Sequence, residues 1–244
     1  MSNTVTIVCL HGWGGSPESF TELRAACNGL SLTILTPSLP GFDKSIIPEK
    51  PLTMDEYAQW LELQISSIPN GSKIILLGHS HGGRTIAHWL LSSEYKHSKV
   101  SHVIWCAPAV IANKQTYKKK IGYLGAKVGN AIFSIPGLCV LKKPARTLLY
   151  KILRVHDYEQ ASPVMKQTMQ NVISKDYAED LNNITIPIDL FWGTEDTLTP
   201  YSDALIIHKE LPNSVLHTIP GIRHAVHRHA ADQIATTITQ FIND

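Results

Sequence analysis

The sequence predicts an α/β fold: an open, mostly parallel sheet of about six strands with helices on both faces. Two observations carry this. Six short apolar runs, rich in β-branched residues, recur along the chain, and segments with helical patterning separate them. Within each run the apolar residues are nearly continuous and do not alternate with polar ones, as expected of strands covered on both faces and paired in parallel. At 244 residues, 43% hydrophobic and 17% charged, the chain can bury one sizeable core and carry an insertion. The same composition excludes intrinsic disorder, a collagen-like repeat and a disulfide-held miniprotein.

In chain order the expected strands are Val5–Leu10, Leu32–Thr36, Lys73–Gly78, Val100–Cys106, Ile186–Trp192 and Ser214–Ile219. The expected helices are Ser16–Cys27, Met54–Ile68, His81–Leu91, Tyr201–Leu211 and a last one near Ala230–Ile242. Ser16-Pro17 marks the first start, because Ser caps a helix and Pro fits the first helical position, where no amide donor is needed. The alternation breaks after Cys106, and no convincing buried strand follows until Ile186. Residues 1–109 and 184–244 are therefore expected to form the core, with 110–183 as an inserted helical cap. Inside the insertion, Pro144–Val155 places Leu148, Leu149, Ile152 and Leu153 on one face, and Ser162-Pro163 opens a helix with Met165, Met169, Val172 and Ile173 along one side.

The net charge of +2 conceals an uneven spread: residues 110–160 hold ten Lys or Arg against Asp157 and Glu159, so the rest of the chain is net acidic. Lys118-Lys119-Lys120 reads first as a solvated helix end. Its functional reading is attraction of an anionic partner, either an acidic carrier protein or an anionic lipid surface. No motif for nucleic acid is present. Cys9, Cys27, Cys106 and Cys139 form no CxxC pair and no metal-ligand spacing, so reduced, mostly buried thiols are expected. The N-terminus shows no basic leader and no apolar signal core, from which a cytoplasmic location is expected. Ile121–Leu141 approaches membrane-span length, but four glycines, Asn130 and Pro136 interrupt it. An amphipathic lid explains that stretch, and no transmembrane segment is expected.

The sharpest local signal is Gly78-His79-Ser80-His81-Gly82-Gly83, which ends the third strand and opens the helix at His81. A Ser on so tight a turn needs small residues two positions before and after it, and Gly78 and Gly82 supply them. The turn lifts Ser80 above the carboxyl edge of the sheet, where open α/β folds bind ligands. Serine is a weak nucleophile unless a base, itself held by a third group, activates it. Carboxylates follow the fifth strand in Gly193-Thr194-Glu195-Asp196, with Asp203 farther along, and a histidine follows the sixth in Pro220-Gly221-Ile222-Arg223-His224. After the first strand, the glycines of His11-Gly12-Trp13-Gly14-Gly15 let the backbone turn N–H groups of Trp13 toward the site, where that of His81 could join in binding an oxyanion.

These motifs, distributed from His11 to His224, resemble the α/β-hydrolase superfamily, with the insertion in the position of that family's cap. The resemblance implies Ser80 as nucleophile, His224 as base, and Trp13 and His81 as oxyanion-hole residues. It also selects Asp196 over Glu195 as the acid. His11, Gly12, Tyr123, Phe133, Ile135 and Leu138 are expected to line the substrate pocket. Two departures from the family pattern are expected: a sheet without the opening two-stranded hairpin, and His81 where many relatives carry Met, Leu or Gln. His79-x-His81 and His224-x-x-His227-x-His229 have metal-like spacings, but no Cys or clustered carboxylate joins them, so neither metal nor other cofactor is expected.

Together the residues imply a serine hydrolase that cleaves a carboxylic ester through an acyl-enzyme. Lactonase, thioesterase and carrier-bound ester hydrolysis would use the same residues, as would carbon–carbon bond hydrolysis. A small-molecule ester or lactone is the expected substrate. A ligand-binding receptor with little turnover is the contrasting class.

Overall fold

The computed structural model describes residues 5–43, 48–95, 97–112 and 161–243. These contain one six-stranded sheet of β1 (Val5–Leu10), β2 (Leu32–Leu35), β3 (Lys73–His79), β4 (Val100–Cys106), β5 (Ile188–Gly193) and β6 (Ser214–Ile219). The spatial order is β2-β1-β3-β4-β5-β6, and every neighbouring pair is parallel. Ile7 of β1 pairs with Ile34 of β2 and Ile75 of β3, while Trp105 of β4 pairs with Gly78 of β3 and Leu190 of β5.

Burial follows position in the sheet. All of β1 and β5 is buried, and so are β3 and β4 apart from the half-buried Lys73 and Ser101. Residues of both parities are covered, so both faces of the central sheet are packed, as the continuous apolar runs predict. The two edge strands differ from that expectation: β2 and β6 alternate between exposed and half-buried positions over most of their length, and Val215 of β6 is 55% exposed. An edge strand has only one neighbour, so its apolar content does not by itself secure burial. Asp189 near the start of β5 hydrogen-bonds His102 of β4 at 2.7 Å and also His217 of β6, tying three strands through one carboxylate.

The helices are α1 (Thr21–Ala26), α2 (Met54–Ser66), α3 (His81–Leu91), α4 (Pro163–Ile173), α5 (Tyr201–Glu210), α6 (Val226–His229) and α7 (Ala231–Asn243). α2 packs against α3, and α1 against α7. One expected helix is subdivided, and one short helix was not expected. The stretch from Ser16 begins with a 3₁₀ turn over Pro17–Phe20, and α6 precedes α7 with Ala230 outside helical geometry between them. α2 starts at a reciprocal capping box, in which Thr53 N–H donates to Glu56 Oε2 at 2.8 Å and Glu56 N–H to Thr53 Oγ1 at 3.3 Å.

Of the expected insertion, residues 113–160 lie outside the described residues, and with them Tyr123, Phe133, Ile135, Leu138, Lys118–Lys120, Cys139 and Pro144–Val155. α4 begins at Ser162-Pro163 as expected, with Ser162 Oγ accepting from Met165 N–H at 3.2 Å. Its buried face is Met165, Thr168 and Val172, whereas Met169 and Ile173 are only half-buried. Thr168 belongs on that face because its hydroxyl is satisfied there, accepting from Leu52 N–H at 2.9 Å and donating to the Val164 carbonyl at 3.0 Å. Buried Arg84 of α3 donates to the carbonyls of Val172 at 3.0 Å and Lys175 at 2.6 Å, which fastens the end of α4 to the core.

Ile104, fully buried in β4, should lose about 2–5 kcal/mol of stability on truncation to Ala. Val215→Ala on the exposed edge should change stability by less than about 0.5 kcal/mol. Urea unfolding of the two variants measures the contrast.

Candidate active site

Ser80 stands between β3 and α3 with φ 51° and ψ −110°, a left-handed backbone that costs a non-glycine residue about 1–3 kcal/mol. Three backbone hydrogen bonds hold it there. Its N–H donates to the Cys106 carbonyl at 3.1 Å, and its carbonyl accepts from Ala109 N–H at 3.0 Å and Arg84 N–H at 3.1 Å. The surrounding glycines are required by contact. A Cβ on Gly78 would lie 2.6 Å from Gly83 Cα, one on Gly83 would lie 2.5 Å from Pro108 Cβ, and one on Gly82 would overlap the Leu10 carbonyl. α3 is thereby pressed against the end of β1 and the exit of β4.

The loop after β1 is built around His11. This side chain is fully buried; its Nδ1 donates to the Gly12 carbonyl at 2.8 Å and its Nε2 accepts from Leu39 N–H at 3.0 Å. Both ring nitrogens are committed to backbone, so His11 braces the loop. Gly12 does lie against the turn: a Cβ on it would stand 3.3 Å from Ser80 Cβ and 2.8 Å from His79 Nδ1. The Trp13 ring packs between Phe42 at 4.9 Å and His81 at 5.5 Å, centroid to centroid.

His81 is the first residue of α3, where an N–H group has no intrahelical partner. Its side chain points into an aromatic box, with Tyr57 at 4.7 Å, and among the described residues neither ring nitrogen has a hydrogen-bond partner. Burial, reinforced by Arg84, pushes its pKa down to about 3, so the ring is neutral.

Asp196 and His224 are in direct contact: His224 Nδ1–H donates to Asp196 Oδ2 at 2.7 Å. The other carboxylate oxygen accepts the N–H groups of Leu198 at 2.8 Å and Thr199 at 3.1 Å. Thr199 Oγ1, a contact the sequence reading missed, donates to Asp196 Oδ2 at 2.8 Å and lies 3.2 Å from His224 Nδ1. Four donors converge on one carboxylate, and the imidazole is left with its Nε2 edge free of that pairing. The D-x-x-T spacing of Asp196 and Thr199 was the available signal, since such residues close a turn on themselves. Gly193 carries a second unread constraint: a Cβ there would overlap the carbonyl of Ile222, so the loops bearing Asp196 and His224 meet only with glycine at that position. Glu195 is exposed and sits 3.9 Å from Arg223, away from His224 Nδ1.

His79, the last residue of β3, connects the serine turn to the histidine loop, because its Nε2–H donates to the His224 carbonyl at 3.0 Å. Among the described residues no hydrogen bond joins Ser80 Oγ to His224, and no group of three or more His, Cys, Asp or Glu is arranged to hold a metal. Nor does any described helix have the length and apolarity to cross a membrane. Cys9, Cys27 and Cys106 are buried free thiols, and burial raises the pKa of each.

Burial also lowers His227 to about 3 and holds His79 well below the ordinary imidazole value of 6.5. The unfolded chain binds protons at these histidines that the folded one refuses, so stability is complete above pH 6.5 and is lost as pH falls below it, down toward 3 for His81 and His227. The urea midpoint should therefore drop steadily from pH 6.5 to 4, and His81→Leu should make the drop shallower.

A sequence profile described as the alpha/beta hydrolase fold matches residues 5–228. The chain is 26% identical over 253 residues to the uncharacterized hydrolase YugF of Bacillus subtilis (strain 168), covering 97% of this chain and 89% of that protein. It superposes on the esterase EaEST from Exiguobacterium antarcticum with a TM-score of 0.72 at 18% identity, covering 100% and 94% of the two chains. Against a thermophilic esterase from Thermogutta terrifontis the TM-score is 0.70 at 16% identity, covering 100% and 91%. Nearly the whole chain, from β1 into α6, is spanned by the profile, and the protein belongs to the alpha/beta hydrolase fold family.

Proposed function

We propose that the protein is a serine hydrolase that cleaves a carboxylic ester through an acyl-enzyme. The observation that carries this reading is the strained Ser80 turn beside the Asp196–His224 pair, in the chain order Ser, Asp, His. The names of the two esterases among its structural neighbours support an ester as substrate.

In this reading Ser80 Oγ attacks the ester carbonyl carbon while His224 Nε2 takes the hydroxyl proton. Asp196 holds the Nδ1–H tautomer and offsets the charge of the imidazolium, and Thr199 and the two backbone amides keep the carboxylate in place. The N–H groups of Trp13 and His81 receive the negative charge that develops on the carbonyl oxygen. Collapse of the tetrahedral adduct breaks the carbon–oxygen bond to the alcohol, which leaves with the proton from His224, and the acyl group stays on Ser80. Water then gives a proton to His224, attacks the acyl carbon and releases the acid, and the proton returns to Ser80. A neutral His81 fits this scheme, since a second imidazolium beside Ser80 would oppose protonation of His224.

Initial rates on chromogenic esters of two to sixteen acyl carbons, with Ser80→Ala as control, test the reading. Wild type should hydrolyse the shorter esters and the variant should lose on the order of a thousand-fold or more in kcat. Retention of rate in Ser80→Ala would overturn it. Thr199→Val removes one hydroxyl donor from Asp196, worth about 1 kcal/mol, and should lower kcat about five- to tenfold at nearly constant KM.

A further inference from the structure

We propose that His79 is a positioning residue that sets the distance between the nucleophile and the base. The proposal rests on the serine hydrolase reading. Under that reading Ser80 and His224 must meet to within a few tenths of an ångström, yet they stand on loops that leave non-adjacent strands, β3 and β6.

The hydrogen bonds of the His224 loop show how unevenly it is held. Gly221 N–H donates to Thr194 Oγ1 at 3.0 Å, and the Ile222 carbonyl accepts from Glu195 N–H at 2.9 Å. The His224 ring goes to Asp196 and Thr199. Each of these fixes the base loop to the acid loop, so base and acid would move together. Among the described residues the hydrogen bond that ties this loop to the nucleophile strand is the one from His79 Nε2–H to the His224 carbonyl, at 3.0 Å.

The His79 ring is itself held on several sides. His79 is the last residue of the β3 ladder, where it pairs with Cys106 of β4. Its ring centroid lies 3.8 Å from that of His227 and 4.8 Å from that of His224. Its Nδ1 edge meets Gly12, where a Cβ would come within 2.8 Å. A neutral imidazole has a single N–H, and here it is directed to the His224 carbonyl, which fixes the tautomer. The same ring therefore touches the oxyanion loop, the nucleophile strand and the base loop.

The test compares wild type, His79→Leu and His79→Gln, because Gln carries an amide N–H at a reach close to that of imidazole Nε2. The readouts are the rate of Ser80 modification by a fluorophosphonate, kcat and KM on a short-chain chromogenic ester, and the melting temperature. His79→Leu should lower both the labelling rate and kcat on the order of ten- to a hundred-fold, with KM changed less than about threefold. His79→Gln should restore most of the loss while melting no higher than His79→Leu. Equal labelling of wild type and His79→Leu would overturn the proposal, as would equal impairment of the two variants, which would make His79 a packing residue. Long-range ¹H–¹⁵N spectra of wild type supply a reading that needs no variant to fold: an Nε2–H tautomer at His79 is expected, and an Nδ1–H tautomer would overturn the hydrogen bond. Failure of wild type itself to label at Ser80 would instead remove the hydrolase reading on which the proposal stands.

Discussion

The left-handed turn at Ser80 is the constraint around which the described site is arranged. A serine adopts φ near +51° only if the surrounding structure outweighs the steric cost, and here β1, β4 and α3 all contribute to doing so. The Cys106 carbonyl and Ala109 N–H hold the turn from the β4 side. Gly82 lets α3 close on Leu10, and Gly83 lets it close on Pro108. Once α3 is drawn in so tightly, the amide of His81 and the loop from His11 to Gly15 necessarily come together beside Ser80. The site is thus a consequence of close packing between backbone segments, and the side chains are carried on it.

A second turn of the same kind marks the far side of the site. Ala107 also has a positive φ, of 48°, at the end of β4, and its carbonyl lies 3.4 Å from Thr199 Oγ1. Thr199 in turn bonds Asp196, so the strained exit of β4 and the Asp196 loop share a contact. Gly193 brings the loops that carry Asp196 and His224 together by the absence of a side chain. Parallel strands make this possible, because their carboxyl ends all emerge at one edge of the sheet and deliver loops from β1, β3, β5 and β6 to one place.

Histidine serves several different ends within this small volume. His11 braces a loop through two backbone contacts, His81 is neutral and, among the described residues, without a hydrogen-bond partner in its aromatic box, and His79 packs against His227 beside the His224 loop. His224 alone among these meets a carboxylate at Nδ1 while its other nitrogen stays clear of it. Burial explains the division. Desolvation keeps His79, His81 and His227 neutral, whereas the ring of His224 donates to the Asp196 carboxylate.

The sequence by itself determined the parallel sheet, its six strands and the three loops that carry Ser80, Asp196 and His224. Those features are local: apolar runs report burial, and a glycine-flanked Ser between a strand and a helix reports a tight turn. Boundaries were legible only to within a few residues, as with the 3₁₀ turn at Pro17 and the short helix at Val226–His229, because these depend on how a segment docks. Tertiary structure alone decided that His11 braces its loop, that Thr199 joins Asp196, that Thr168 belongs to the buried face of α4, and that His79 reaches the carbonyl of His224. Each of these is a hydrogen bond between a side chain and a partner chosen by loop conformation, often far away in the chain. The periodicity of a sequence reports which face of an element is buried, but it does not say which polar atom that face will find there.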